Sequence, residues 1–157
     1  MSSVDTSLFK PELVFFDFKA TTRAEFFQEL GQRLDARGYI EPTWFDAVTA
    51  REENYPTGLA CEAVNVAIPH TEPEHLKRPY IAIVRPQAPI EFEGMGGIGG
   101  AVPAELIINL GLEAHNNAQV AVLQALMGVF MDNDAVAEVL SQTTPEGMVD
   151  TMVKLCG

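Results

Sequence analysis

Positive charge is scarce in this chain of 157 residues, and it is unevenly placed. Ten Lys and Arg stand against 22 Asp and Glu, which gives a formal net charge of −12, and the segment between Arg85 and Lys154 has none of the ten. Such a surface repels phosphate backbones, which argues against nucleic-acid binding. The acidity favours a partner with a basic face, although solubility alone would also account for it.

Cysteine and long apolar runs are also scarce. Cys61 and Cys156 are too few for a disulfide framework, so we expect reduced thiols in a cytoplasmic protein. The chain has no run approaching the roughly 18 apolar residues of a membrane span. The first residues, 1–5, have neither the basic nor the apolar segment of a signal peptide. The length predicts a single domain over residues 1–157.

Apolar periodicity predicts a layered α/β domain, because helices precede, separate and follow the strands. Thr22 and Glu25 form a capping box for the first helix, and Gly38 is suited to end it. Arg51 falls in the last turn of the second helix. The first strand is apolar enough to be central in its sheet or nearly so. Strands are predicted at 13–18, 64–68, 80–85, 90–93 and 104–110, and helices near Thr22, Thr43, Asn117, Asp132 and Thr144.

The segment 64–71 carries the most distinctive local signal. Val64, Val66 and Ile68 alternate with small or polar residues, which is typical of a half-buried strand. Pro69 ends this strand, since it lacks an N–H for the ladder and holds the preceding residue extended. His70 is thereby placed just after the C-terminal end of a strand, where a loop begins. This position suits a side chain that contacts a partner outside the protein.

The glycine-rich segment 94–100 matches G-x-G-x-x-G through Gly94, Gly96 and Gly99. The dinucleotide fingerprint requires a helix to begin there, whereas Pro103 and a strand-like run follow. A phosphate-binding P-loop would also need a Lys, and the segment has none. We therefore interpret it as a mobile surface loop.

Metal and hydrolase chemistry also lack support. The two histidines of the cluster His70, Glu72, Glu74 and His75 are five residues apart, and Pro73 obstructs a helix between them, unlike the H-E-x-x-H zinc motif. The chain has no G-x-S-x-G elbow, and its cysteines show no sign of activation. We expect no metal and no cofactor.

Phosphoryl transfer through His70 itself fits the remaining residues. A neutral imidazole nitrogen can attack phosphorus, and the transferred group needs positive compensation for its oxygens. The planar fork of Arg51 can bind two of those oxygens, and Thr57 and the Gly58 backbone N–H could donate further hydrogen bonds. The same residues also fit a structural histidine and an arginine that merely stabilises the end of its helix.

Two motifs together resemble the enzyme IIA domain of the bacterial phosphotransferase system, fructose/mannitol class. They are Arg51-Glu-x-x-Tyr-Pro-Thr-Gly-Leu59 and Val66-Ala-Ile-Pro-His70. The run after His70, with His75-x-Lys77, is most similar to the galactitol-type branch. The resemblance extends from about Leu8 to the C-terminus and implies a mixed β-sheet flanked by helices.

The resemblance also implies a function and a site. His70 would accept a phosphoryl group from the phosphohistidine of the carrier protein HPr and pass it to a cysteine of a cognate enzyme IIB, which serves sugar or polyol uptake through a membrane enzyme IIC. Arg51 matches the family's active-site arginine, and His75 is a further binding candidate. Many relatives carry a second active-site histidine where this chain has Gln119, which can hydrogen-bond a phosphate but carries no charge; His115 precedes that helix. The alternative is a regulatory module whose phosphorylation at His70 controls binding to another protein.

Overall fold

The computed structural model describes residues 4–97, 100–112 and 117–157, which contain seven β-strands and five α-helices. The strands are β1 (Phe9–Phe18), β2 (Gly58–Ala60), β3 (Asn65–Ala67), β4 (Tyr80–Pro86), β5 (Ile90–Glu93), β6 (Ala101–Ala104) and β7 (Leu106–Gly111). The helices are α1 (Arg23–Ala36), α2 (Trp44–Asn54), α3 (Asn117–Phe130), α4 (Asn133–Leu140) and α5 (Pro145–Cys156).

Five of these strands form one mixed sheet in the order β1-β4-β7-β3-β2. Strand β1 is parallel to β4 and β3 is parallel to β7, whereas the pairs β4/β7 and β2/β3 are antiparallel. Strands β5 and β6 pair with each other in a separate antiparallel ribbon. The arrangement confirms the predicted mixed sheet.

Each face of the large sheet is covered by its own hydrophobic core. Residues along β7 alternate between the two, since Leu106, Ile108 and Leu110 join the core that contains α3, α4 and α5, while Ile107 joins the core of α1, α2 and the ribbon. This alternation follows from the two-residue period of a strand. Helices therefore flank the sheet on both faces, as predicted.

The helix boundaries follow the predicted capping signals. The Thr22 hydroxyl accepts a hydrogen bond from the Glu25 backbone N–H (3.1 Å), while the Glu25 carboxylate binds Thr21 and so closes the box one residue earlier than predicted. Gly38 follows α1 with φ of +78°, a left-handed conformation that favours glycine. Helix α5 begins with Pro145 behind its Thr144 cap.

Two strand predictions were wrong. The segment 104–110, predicted as one strand, contains the end of β6 and most of β7, which belong to different sheets. The break is at Glu105, whose backbone N–H donates to the Asn65 carbonyl (2.8 Å) and whose carboxylate accepts from the Asn65 N–H (3.0 Å). Apolar periodicity did not reveal this break because both halves are largely buried.

Strand β1 is at the edge of the sheet, not near its centre. It also begins at Phe9, four residues before the predicted start at Leu13. Its apolar character has another cause, because both of its faces are covered: Val14 packs into one core, and Leu13 and Phe15 pack into the other. An edge strand buried on both faces therefore has the composition of a central strand.

Over the described ranges, no single helix has the length and hydropathy to cross a bilayer. The segments Val120–Phe130 and Asn133–Leu140 pass that test only as a pair, and they are bent by 91° at the break between them.

Candidate active site

The backbone of His70 is held between β3 and β7. The Pro69 carbonyl accepts hydrogen bonds from the Leu110 backbone N–H (3.1 Å) and from the Asn109 side-chain amide (2.9 Å), and the Asn109 carbonyl oxygen in turn accepts from the Tyr80 hydroxyl. His70 itself forms a parallel bridge with Leu110. Pro69 thus ends β3 without releasing the residue that follows it.

The imidazole of His70 is fixed in one tautomer by its own strand. Its Nδ1 atom lies 2.9 Å from the Ile68 carbonyl oxygen, and since a carbonyl only accepts, Nδ1 carries the proton. The Nε2 atom of a neutral ring then keeps its lone pair. Burial lowers the pKa of His70 below its ordinary value, and the charge of Arg51 acts in the same direction, against the Ile68 hydrogen bond and the charge of Glu72. The half-buried ring is therefore neutral at pH values near 7, which is the nucleophilic form.

Arg51 reaches the loop after His70 from the last turn of α2, as predicted. Its Nη1 atom donates a hydrogen bond to Glu72, and the two side chains are 29% and 41% exposed. The guanidinium carbon lies 5.3 Å from the centroid of the Tyr55 ring. The Nε atom is buried and has no hydrogen-bond partner among the described residues.

A cavity of about 500 Å³ lies beside Arg51 and Glu72. His75 lines it as well, with its Nδ1 atom 2.8 Å from the Thr43 hydroxyl oxygen. The structure therefore groups His75 with Glu72 in this cavity, and His70 is not part of the lining. The full lining consists of Thr43, Asp46, Ala47, Ala50, Arg51, Asn54, Tyr55, Glu72 and His75.

Thr57 has a different position from the one its predicted role requires. It is buried, its hydroxyl donates to Glu52 (2.9 Å), and the same oxygen accepts from the Ile68 backbone N–H (3.1 Å). These bonds engage its proton inside the protein, which corrects the expectation that Thr57 donates to a phosphate. Thr57 instead connects the end of α2 to the strand that carries His70.

Gly58 is needed for close packing. It pairs with Ala67 in the sheet and is bridged to Gly94, and a Cβ at Gly58 would lie 2.5 Å from the Glu93 carbonyl oxygen. Only glycine fits there without movement of the backbone. The structure thus gives Gly58 a role in holding the ribbon against the sheet, and donation of its N–H to a phosphate stays a prediction.

Glu52 was missed by the sequence reasoning. It is 3% exposed, and both its oxygens bind Thr57, one of them accepting from the backbone N–H at 2.7 Å. Burial raises its pKa to about 7, against the opposing effects of the Thr57 hydrogen bonds and of the Arg23 and Arg51 charges. The available signal was a carboxylate five residues before a Thr in a Pro-Thr-Gly turn, which suits a side-chain bond back to the turn.

Two predicted polar residues are beyond the reach of the structure. Gln119 is in the first turn of α3, which follows the end of β7 in the chain, but its side chain and the whole of His115 lie outside the described residues.

Within 4–97, 100–112 and 117–157, no group of three or more His, Cys, Asp or Glu side chains is placed to hold a metal ion. A single 3-10 turn, Met95–Gly97, follows Gly94, and the next described element is strand β6, so among the described residues no α-helix begins there as a dinucleotide site would need.

A neutral histidine held at a strand end beside an arginine is suited to carry a phosphoryl group, and comparison with known proteins points to the same class. The family model for the phosphoenolpyruvate-dependent sugar phosphotransferase system, EIIA 2, matches residues 7–154. The galactitol-specific EIIA component of Escherichia coli strain K12 is 32% identical over 124 residues, which cover 79% of this chain and 80% of that protein.

A regulator and one chain of a solved complex are also similar to this chain. The probable licABCH operon regulator of Bacillus subtilis strain 168 is 29% identical over 126 residues, which are 80% of this chain and 18% of that protein. Enzyme IIA mannitol, solved in complex with phosphorylated enzyme IIB mannitol from Escherichia coli, has a TM-score of 0.69 and 22% identity, with 91% of this chain and 95% of that chain covered.

The chain belongs to the EIIA 2 family of the phosphoenolpyruvate-dependent sugar phosphotransferase system. This confirms the resemblance seen in the sequence and the fold that it implied. Members of the family are phosphotransferases that act with an enzyme IIB, and the chain is a phosphoryl-transfer component of this kind.

Proposed function

We propose that His70 accepts a phosphoryl group on Nε2 from the phosphohistidine of HPr and passes it to a cysteine of a cognate enzyme IIB. The acceptor works in the cytoplasm and serves uptake through a membrane enzyme IIC. The observation that carries the proposal is the Nδ1 bond to the Ile68 carbonyl, which leaves Nε2 free on a neutral ring within the field of Arg51. The galactitol-specific relative supports a galactitol-like polyol or sugar as the transported substrate.

The transfer reaction balances with the groups present. The Nε2 lone pair of His70 attacks phosphorus in line, while the P–N bond to the donor histidine breaks and its electron pair returns to the donor imidazole. The Nδ1 proton stays on the Ile68 hydrogen bond, which holds the ring and stabilises the charge that develops on it. Arg51 compensates the phosphoryl oxygens. In the second step a cysteine thiolate attacks phosphorus, and the N–P electron pair returns to Nε2.

The proposal is tested by phosphorylation of purified variants with phosphoenolpyruvate, enzyme I and HPr, followed by intact-mass measurement. Wild type, His75→Ala and His115→Ala should gain one phosphoryl group, and His70→Ala should gain none, because the Nδ1 bond to the Ile68 carbonyl leaves Nε2 of His70 free within the field of Arg51. A His70→Ala protein that is still phosphorylated to the wild-type extent would refute the assignment.

The regulator from Bacillus subtilis favours one second candidate, a module whose phosphorylation state controls binding to another protein. Onward transfer separates the two functions. When a galactitol-type enzyme IIB is added to the phosphorylated protein, a transport component should lose its phosphoryl group rapidly in a single turnover. A regulatory module should retain it.

A further inference from the structure

We propose that Glu72 competes with the phosphoryl group for Arg51, and thereby keeps phosphorylated His70 ready to give the group up. The inference rests on the proposed function and adds a positioning residue to the same site. In this role Glu72 affects the free energy of the phosphorylated protein. A phosphoryl donor must stabilise the charge of its phosphoryl group without binding the group too tightly.

The unphosphorylated site already pairs these two groups. Arg51 Nη1 donates to a Glu72 carboxylate oxygen, and Glu72 is only two residues after His70. Both charges act on the pKa of His70, Arg51 lowering it and Glu72 raising it, so both lie within electrostatic reach of the ring. Although burial opposes it, hydrogen bonds from its own backbone N–H and from Arg51, together with the Arg51 charge, lower the pKa of Glu72, and the carboxylate is ionised.

A phosphoryl group on Nε2 brings a second anion to the same guanidinium. The carboxylate neutralises part of the field that Arg51 offers, and it also repels the phosphoryl oxygens. Glu72 therefore raises the free energy of the phosphorylated state relative to the free state. When the phosphoryl group leaves, the Arg51–Glu72 pair is restored, which favours departure.

The cavity beside the pair provides a place for Glu72 when the phosphoryl group occupies Arg51. Glu72 and His75 both line it, so a rotated carboxylate stays beside a polar side chain. The Thr43 hydroxyl, 2.8 Å from His75 Nδ1, holds that imidazole in position. The exposed fraction of the Glu72 side chain, 41%, leaves it free to turn.

The chain offers a matched control in Glu74. It has the same charge in the same loop, but it is exposed and shows no ion pair within the part of the chain that the structure describes. Glu74→Gln removes one negative charge near the site without touching Arg51. Any effect of net charge alone should therefore appear in both variants.

The test measures the equilibrium constant for phosphoryl exchange between HPr and the protein, by intact mass, in wild type, Glu72→Gln and Glu74→Gln. Glu72→Gln should shift the equilibrium towards the phosphorylated protein by about two- to fivefold, the range expected for a partly exposed ion pair. Glu74→Gln should leave it unchanged. In an Arg51→Gln background the Glu72→Gln shift should become smaller, because the competition through Arg51 is lost and only the direct repulsion between Glu72 and the phosphoryl oxygens stays.

Two results would overturn the competition while the proposed function stands: equal equilibrium constants for Glu72→Gln and Glu74→Gln, or a Glu72→Gln shift towards the unphosphorylated protein. The second would mean that Glu72 merely holds Arg51 in place. A wild-type protein that gains no phosphoryl group from HPr would instead overturn the proposed function, and the competition with it. Thermal unfolding of each variant checks that the fold is intact.

Discussion

Arg51 and Glu52 are neighbours in the chain but bind different partners around the strand end that carries His70. Because successive helical residues point in different directions, Arg51 faces the loop after His70, while Glu52 is buried and binds Thr57. Thr57 then binds the backbone N–H of Ile68. One turn of α2 thus supplies both the cation for an incoming anion and the carboxyl that fixes the strand.

The raised pKa of Glu52 predicts how stability depends on pH. Its carboxyl stays protonated up to about pH 7 in the folded protein, against a pKa of 4.5 for an ordinary glutamate. Between these values the folded state binds more protons than the unfolded chain, so the free energy of unfolding falls as pH rises, by up to roughly 3 kcal/mol.

Glu52→Gln is the matched variant, because its amide keeps a partner for Thr57 but does not titrate. Urea unfolding at about pH 5 and about pH 8 should show wild type losing stability relative to Glu52→Gln as pH rises. Profiles that stay parallel across that range would contradict a raised Glu52 pKa.

At the scale of elements, β7 holds the site in place from the centre of the sheet. Tyr80 on β4 binds Asn109 on β7, and Asn109 binds the Pro69 carbonyl just before His70. The chain packs tightly around Tyr80, since a Cβ at Gly111 would lie 2.6 Å from its ring. Sheet packing and the position of His70 are therefore linked through a single buried ring.

Gly111→Ala should destabilise the protein by about 1–3 kcal/mol, because the added methyl group overpacks the buried Tyr80 ring. Displacement of Tyr80 should also slow phosphorylation of His70 through Asn109 and Pro69. Chemical denaturation and single-turnover phosphorylation measure the two effects.

Gly128→Ala is the control for the same change of residue. Its Cβ would meet nothing within 4 Å on the surface of α3, so it should raise helix stability by about 0.5–1 kcal/mol and leave phosphorylation unchanged. If both alanine variants behave alike, the link between Tyr80 packing and His70 is wrong.

Sequence patterns predicted what depends on local structure. The caps at Thr22, Gly38 and Thr144 and the placement of Arg51 in the last turn of α2 are set by residues within a few positions of each other. The edge position of β1, the break at Glu105 and the burial of Thr57 depend on strands far apart in sequence. Periodicity shows that a strand is buried, but it does not show which strand lies beside it.

At the scale of the whole molecule, the net charge of −12 surrounds a site that must accept an anion. Arg51 is the cation whose charge acts on His70, and Arg78 is occupied elsewhere, with its guanidinium carbon 3.9 Å from the centroid of the Tyr39 ring. The acidic surface should therefore steer a donor with a basic face, and Arg51 should compensate the charge of the phosphoryl group.

This charge distribution predicts salt-sensitive association. Raising the salt from about 0.1 M to about 1 M shortens the Debye length from about 10 Å to about 3 Å, so the second-order rate constant for transfer from HPr should fall clearly. The transfer rate at saturating donor should change little, because steering affects encounter and not the bound complex. Quenched-flow kinetics over this salt range measure both constants. If the second-order rate constant does not change with salt, the acidity has a role in solubility alone.

The position of the phosphoryl group on the His70 ring is the most direct test of the mechanism. Nitrogen and phosphorus NMR of the phosphorylated protein distinguish a group on Nε2 from one on Nδ1. The Nδ1 bond to the Ile68 carbonyl predicts that phosphorus is bound to Nε2 of His70 and that Nδ1 keeps its proton. Phosphorus on Nδ1, or on a residue other than His70, would contradict the mechanism.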